Sequence, residues 1–96
     1  MSYQETFKAL SDKTRREILT LLRAGPLSVG EIGEHFNISG ATLSHHLSIL
    51  RQADLIIDSK KGKFIYYELN TSVMEDILRW AVSLGGKEEK NEAEQK

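Results

Sequence analysis

No cysteine occurs anywhere in the 96 residues. That absence removes disulfides, thiolate metal ligands, cysteine nucleophiles and thiol-based redox sensing together, and it accords with a reducing compartment. Apolar runs never approach the ~20 residues that a bilayer-spanning helix needs. Met1 to Leu10 lacks the basic-then-apolar layout of a secretory signal, so a cytoplasmic location is expected. Proline is confined to Pro26 and hydrophobic residues make up 40%, which fits one small domain. A chain of this size buries barely enough surface to fold alone, a shortage that a dimer interface would relieve.

Charge of one sign is missing as well. The formal net charge is −1, which argues at first sight against a nucleic-acid partner, because phosphate contacts supply much of such affinity. The stretch from Lys87 to Lys96 holds three lysines and four glutamates, so residues 1–86 carry ten basic and ten acidic side chains. Any basic surface on the folded part must be local. The same final stretch has one alanine as its only apolar residue and nothing to bury. We expect a folded domain over 1–86 and a charged, disordered tail over 87–96.

What is present is helical periodicity with clear stops. Tyr3, Phe7 and Leu10 form one apolar stripe on a short first helix. Ser11 and Asp12 offer caps for a second, with Ile18, Leu19, Leu21 and Leu22 inward, Lys13, Arg16, Glu17 and Arg23 wet, and a stop at Gly25-Pro26. Ser28 and Glu31 have capping-box spacing at the start of a third helix, which presents Val29, Ile32 and Phe36 and breaks at Asn37. After a tight turn Ser39 caps a fourth helix with Leu43, Leu47 and Leu50 inward. Two short helices across such a turn form a helix-turn-helix.

From Leu55 the period becomes strand-like. Leu55-Ile56-Ile57 and Phe64-Ile65-Tyr66-Tyr67-Glu68-Leu69 flank Lys60-Lys61-Gly62-Lys63, which predicts a β-hairpin with a basic tip. Asn70, Thr71 and Ser72 can cap a last helix that runs to Leu84 and halts at Gly85-Gly86. The expected fold is mainly α with a two-stranded β-wing, a winged helix-turn-helix of five helices.

Such a module sets its second helix in the major groove and its wing near the backbone or minor groove. With the three leucines inward, Gly40, Ala41, Ser44, His45 and Ser48 face outward, small or polar as close approach to base edges requires. Ser44 and His45 can bond base edges, Ala41 and Thr42 can touch a thymine methyl, and Ser39, Ser48 and Arg51 can reach phosphates. Lys60, Lys61 and Lys63 add phosphate contacts from the wing. Taken alone, the helix is equally an ordinary solvated face and the lysines a solvated hairpin tip; their adjacency favours double-stranded DNA as partner. The alternative is a winged-helix module that binds protein and never DNA.

His45 and His46 are adjacent, so on a helix they diverge by about 100° and cannot share a metal ion as an i, i+4 pair does. His46 lies on the flank of the apolar face, where a hydrogen-bonded structural role is expected. No nucleophile, base and orienting acid are spaced for catalysis, and no cofactor motif is present. On the last helix Val73, Ile77, Trp80 and Leu84 form a stripe that Met74, Leu78, Ala81 and Val82 widen to half the circumference or more, beyond the ~100° of a one-sided surface helix. One face is expected on the chain's own core. The other is expected on the same helix of a second subunit, with Tyr3, Phe7 and Leu10 of the first helix alongside, in a homodimer.

From Phe7 to Leu84 the chain resembles the ArsR-type winged-helix repressors of bacteria and archaea. Phe7 to Leu19 is similar to the family's opening, with Lys13 where proline is common; Ser39 to Leu50 is similar to its recognition helix and Lys61 to Leu69 to its wing. The resemblance implies dimerisation through the first and last helices, a two-fold operator, and repression relieved by an inducer. Arsenic- and cadmium-sensing members place cysteines on the third helix, where this chain reads Leu27-Ser28-Val29-Gly30-Glu31; zinc and nickel sensors place Asp and His on the last helix, where Glu75 and Asp76 are followed by no histidine. No metal or other cofactor is therefore expected. The resemblance is nearest to the SdpR-like autorepressors, which implies autoregulation and a membrane-protein anti-repressor as a further partner.

Overall fold

Helix α1 (Tyr3–Leu10) runs into α2 (Lys13–Leu21) through a two-residue break at Ser11-Asp12. The break is held from both sides. The Asp12 carboxylate accepts the backbone N–H of Arg15 at 3.0 Å as the N-cap of α2. Carbonyls at the end of α1, which no intrahelical donor reaches, accept from the guanidinium groups of Arg15 and Arg16. The computed structural model describes residues 3–85; the tail expected at 87–96 lies outside the described residues.

The apolar stripe expected on α1 divides in the structure. Thr6 and Ala9 are the buried residues of α1, whereas Tyr3 and Phe7 are exposed and meet Trp80 of the last helix, Tyr3 stacked on it and Phe7 tilted against it. In α2 the buried line is Arg15, Ile18, Leu19 and, one turn on, Leu22 of the short 3₁₀ turn Leu22–Ala24; Leu21 is half-buried. Gly25, at φ 136°, takes a backbone conformation that a side chain would strain, and the chain turns through Pro26 into β1 (Leu27–Ser28).

Ser28 then opens α3 (Val29–Gly33) with both bonds of the capping box: its hydroxyl accepts from Glu31 N–H at 3.1 Å, and the Glu31 carboxylate accepts from Ser28 N–H at 2.8 Å. The helix is shorter than the sequence suggested. Beyond Gly33, a poor helix former, the ladder tightens to i→i−3, from His35 to Ile32 and from Phe36 to Gly33, and this turn seats Phe36 half-buried against the core.

Helix α4 (Gly40–Gln52) starts on Ser39, whose hydroxyl accepts from Thr42 N–H at 3.1 Å. Leu43, Leu47 and Leu50 lie buried against Ile18, Leu22, Ile32, Leu55 and Ile56, the centre of the core. Burying each leucine is worth about 1.5–3 kcal/mol relative to leaving it in water. The helix ends in a Schellman turn: Leu55 N–H reaches Leu50 O and Asp54 N–H reaches Arg51 O, with Asp54 in the left-handed region at φ 59° and Leu50 and Leu55 both fully buried.

Strands β2 (Ile56–Lys61) and β3 (Phe64–Leu69) pair antiparallel from Ile56–Leu69 to Lys61–Phe64. Their two-residue loop has Gly62 at φ 63° and no positive φ at Lys63, the pattern of a type II′ turn. A third strand joins them. The two residues of β1 pair with Tyr66 and Tyr67, giving the order β1-β3-β2, so the expected two-stranded wing is the outer part of a three-stranded sheet. A two-residue strand has no periodicity to read. Helix α5 (Thr71–Gly85) closes the described chain and contains no fully buried residue.

Candidate nucleic-acid interface

The surface nominated on α4 is built by its buried side. Because three leucines at i, i+4 and i+7 are fixed in the core, the opposite face is forced outward. Ser39, Gly40, Ala41, Thr42, Ser44, His45, Ser48 and Arg51 are all exposed. The N-terminal end, which enters the groove first in a helix-turn-helix, is stiffened by Ser39, whose hydroxyl also donates to the Thr42 hydroxyl at 3.0 Å. None of these side chains is large except His45 and Arg51.

Lys60, Lys61 and Lys63 are exposed at the wing tip. The ammonium groups of two of them are held out over ring faces: Lys61 Nζ lies 5.8 Å from the Tyr66 ring centroid and Lys63 Nζ 5.8 Å from that of Phe64. Phe64 is itself 54% exposed. Wing and helix are linked where Arg51 Nε stands 3.7 Å from Asp58 Oδ1, so the nominated phosphate ligand Arg51 begins next to a wing carboxylate. Asp58, which the sequence did not single out, also faces Tyr67. Burial, with Asp58 adding to it, raises the Tyr67 hydroxyl pKa above its usual 10.0, against the opposing influence of Arg51.

The second residue missed is Arg15. It is 8% exposed, and each of its three guanidinium nitrogens makes a bond, to Ala9 O at 2.8 Å, Lys8 O at 3.1 Å and His46 Nδ1 at 3.2 Å. His46 therefore has the hydrogen-bonded, half-buried place expected of it, beside exposed His45. Asp12 sits at the edge of this cluster, 3.9 Å from His46 Nδ1. The backbone N–H of Arg15 holds the Asp12 pKa below its usual 3.8, overcoming desolvation, with the Arg15 charge adding to the effect. A visible signal existed: Arg15 begins the i, i+3, i+4, i+7 line of Ile18, Leu19 and Leu22.

The nominated dimer residues fall into three sets. Tyr3, Phe7 and Trp80 form a ring cluster with centroids 5.2–6.2 Å apart, while Leu10, Val73, Met74 and Ile77 are half-buried against the core. Leu78 and Leu84 are 64% and 70% exposed, and Ala81 and Val82 lie exposed between them. Among the described residues no three His, Cys, Asp or Glu side chains gather as a metal ion would need, and no helix is long and apolar enough to cross a membrane.

Residues 12–58, from the cap of α2 into the wing, match the family model described as bacterial regulatory protein, arsR family. The transcriptional repressor SdpR of Bacillus subtilis is 56% identical over 77 residues, covering 80% of this chain and 86% of that protein. An arsenical resistance operon repressor of Staphylococcus aureus is 42% identical over 82 residues, covering 82% and 79% respectively. Among solved structures, an ArsR-like transcriptional regulator from Rhodococcus sp. RHA1 superposes with a TM-score of 0.80 at 28% identity, over 94% of this chain and 83% of that one. With the winged helix-turn-helix and all three comparisons in agreement, the chain belongs to the ArsR family of bacterial regulatory proteins and is a transcriptional regulator, not an enzyme.

Proposed function

We propose that this protein is a transcriptional repressor that binds an inverted-repeat operator as a homodimer, setting two copies of α4 in successive major grooves about 34 Å apart. The observation that carries this reading is the two-sided build of α4: three leucines locked in the core and an opposite face of small, polar, exposed side chains from Ser39 to Arg51. Ser44 and His45 read base edges, Ala41 and Thr42 meet methyl groups, and Gly40 lets the helix end approach closely. Ser39, Ser48, Arg51 and the wing lysines Lys60, Lys61 and Lys63 hold phosphates.

Dimerisation is supported by α5. A helix that buries nothing fully within its own chain while exposing Leu78, Val82 and Leu84 is half packed, and a second α5 with its α1 would cover that face. Residues 1–86 form the DNA-binding and dimerisation domain in this reading, with 87–96 as an appended charged tail. It acts on cytoplasmic DNA without a metal inducer, a reading that rests on the sequence: no cysteine occurs, and no histidine follows Glu75 and Asp76 on the last helix. The 56% identity to a protein named transcriptional repressor SdpR supports repression; autoregulation, and relief by a membrane-protein anti-repressor rather than a metal, extend to this chain what the resemblance to SdpR-like autorepressors implies.

The test is selection of bound duplexes from a random pool at two salt concentrations. Enrichment of an inverted repeat with half-sites about 10 base pairs apart, or a multiple of that spacing, is expected. No enrichment at either salt, with the folded protein still capturing a protein partner, would replace this reading with that of a protein-binding winged helix.

A further inference from the structure

We propose that Arg15 is a positioning residue for DNA reading: through His46 it fixes the tilt of the recognition helix α4 against α1, the helix assigned above to the dimer face. The inference rests on the reading of α4 as the DNA-reading element. Arg15 stands where three elements meet. Its Nε and Nη2 cap the C-terminal carbonyls of α1, its backbone N–H bonds the Asp12 carboxylate, and its Nη1 reaches His46 Nδ1 in the middle of α4. A guanidinium has only donors to give, so Nδ1 must be the acceptor.

The geometry makes this joint stiff. Arg15 is almost fully covered, and a covered cation has little freedom to exchange partners without losing bonds it cannot recover from water. Asp12 is 3.9 Å from the same imidazole nitrogen, outside hydrogen-bond range, so Arg15 is the close polar partner of His46 Nδ1. The neighbouring residue on α4 is His45, nominated for base edges, and a small rotation of α4 about its axis would re-aim His45 and Ser44 together. Tyr3 and Phe7 lie on the exposed side of α1, with Thr6 and Ala9 on its buried side. Arg15 thus ties the element that would sit at the two-fold axis to the element that would sit in the groove.

A role as a mere cap for α1 predicts loss of stability without any change in discrimination between sequences. The two roles separate in His46 variants. His46→Asn keeps an acceptor near the place of Nδ1, whereas His46→Leu keeps bulk and removes the acceptor. Affinities for the selected operator and for a random duplex are measured for the full-length dimer, with dimer dissociation and thermal midpoint recorded alongside.

His46→Leu is expected to lower operator affinity about tenfold or more, the scale of one hydrogen bond to a charged group, with random-duplex binding and dimerisation unchanged. His46→Asn should restore most of the ratio. Equal loss in both variants, parallel loss on both duplexes, or no loss in either overturns the proposal. Should His46→Leu fail to fold, heteronuclear NMR of the wild-type imidazole decides, because a proton found on Nδ1 of the neutral ring is incompatible with the bond from Arg15. Wild-type protein that does not distinguish operator from random duplex overturns the functional reading itself, and this inference with it. Wild-type discrimination with indifferent variants overturns only the role of Arg15.

Discussion

Helices α4 and α5 stand on either side of the wing and are of similar length, 13 and 15 residues, yet they are packed in opposite ways. In α4 three leucines are sunk in the core and the outward face is small and polar. In α5 no residue is fully buried, and Leu78 and Leu84 are mostly in water. Even the caps differ: Ser39 takes the Thr42 N–H at 3.1 Å, whereas Asn70 takes the Val73 N–H at 3.5 Å. One helix is complete within the chain and presents chemistry to a partner. The other is incomplete, and its missing layer is apolar.

The most direct way to break this comparison is to truncate one leucine on each helix. Leu47→Ala leaves a cavity at the centre of the core and should cost about 2–5 kcal/mol of folding free energy at any protein concentration. Leu84→Ala should leave the stability of the dilute chain unchanged and lower the denaturation midpoint only at concentrations where the wild type associates. Equal, concentration-independent losses at both positions would mean that α5 is no interface at all.

The polar side of the comparison is sharpened at the wing. Replacing both Lys61 and Lys63 by alanine should weaken binding to all duplexes alike and flatten the slope of log affinity against log salt by about 0.9 for each phosphate that is no longer neutralised. Ser44→Ala and His45→Ala should instead relax the preference between sequences while leaving that slope nearly intact. The same salt response in both pairs of variants would contradict the division of roles between helix and wing.

The regions differed equally in how far they could be read from sequence. Caps at Ser28 and Ser39 and the leucines of α4 are local signals, set by spacing within one element, and they stand where expected. In α1 two faces competed, and Thr6 with Ala9 turned inward while Tyr3 and Phe7 went to Trp80, a choice that only the position of α5 could make. Arg15 was hidden by its type, because a charged residue is expected in water unless its partners are known, and Ala9 and His46 come from different helices. Asp58 meets Arg51 only once the wing has turned back beside α4.

A smaller effect is expected where α4 ends. Asp54 holds a left-handed conformation at φ 59° in the Schellman turn leading to the wing, and an L side chain there costs about 1 kcal/mol relative to glycine. Asp54→Gly should therefore raise the denaturation midpoint modestly, the gain being partly offset by the greater freedom of glycine in the unfolded chain. A fall in stability would show that the aspartate makes a compensating interaction in the folded state.

The smallest effect concerns the cap of α2, where the Asp12 carboxylate takes the Arg15 N–H at 3.0 Å. The Asp12 pKa is lowered below 3.8 chiefly by the Arg15 N–H, so its carboxylate binds protons less readily folded than unfolded. Its contribution is then full above the unfolded value and is lost as pH falls through the folded one. With the side chain 37% exposed, solvent screening keeps the effect small. Asn caps a helix as well as Asp but does not titrate. Asp12→Asn should match the wild type near neutrality and show a shallower loss of stability between about pH 5 and pH 3; parallel acid curves would mean that Asp12 acts through its cap geometry alone.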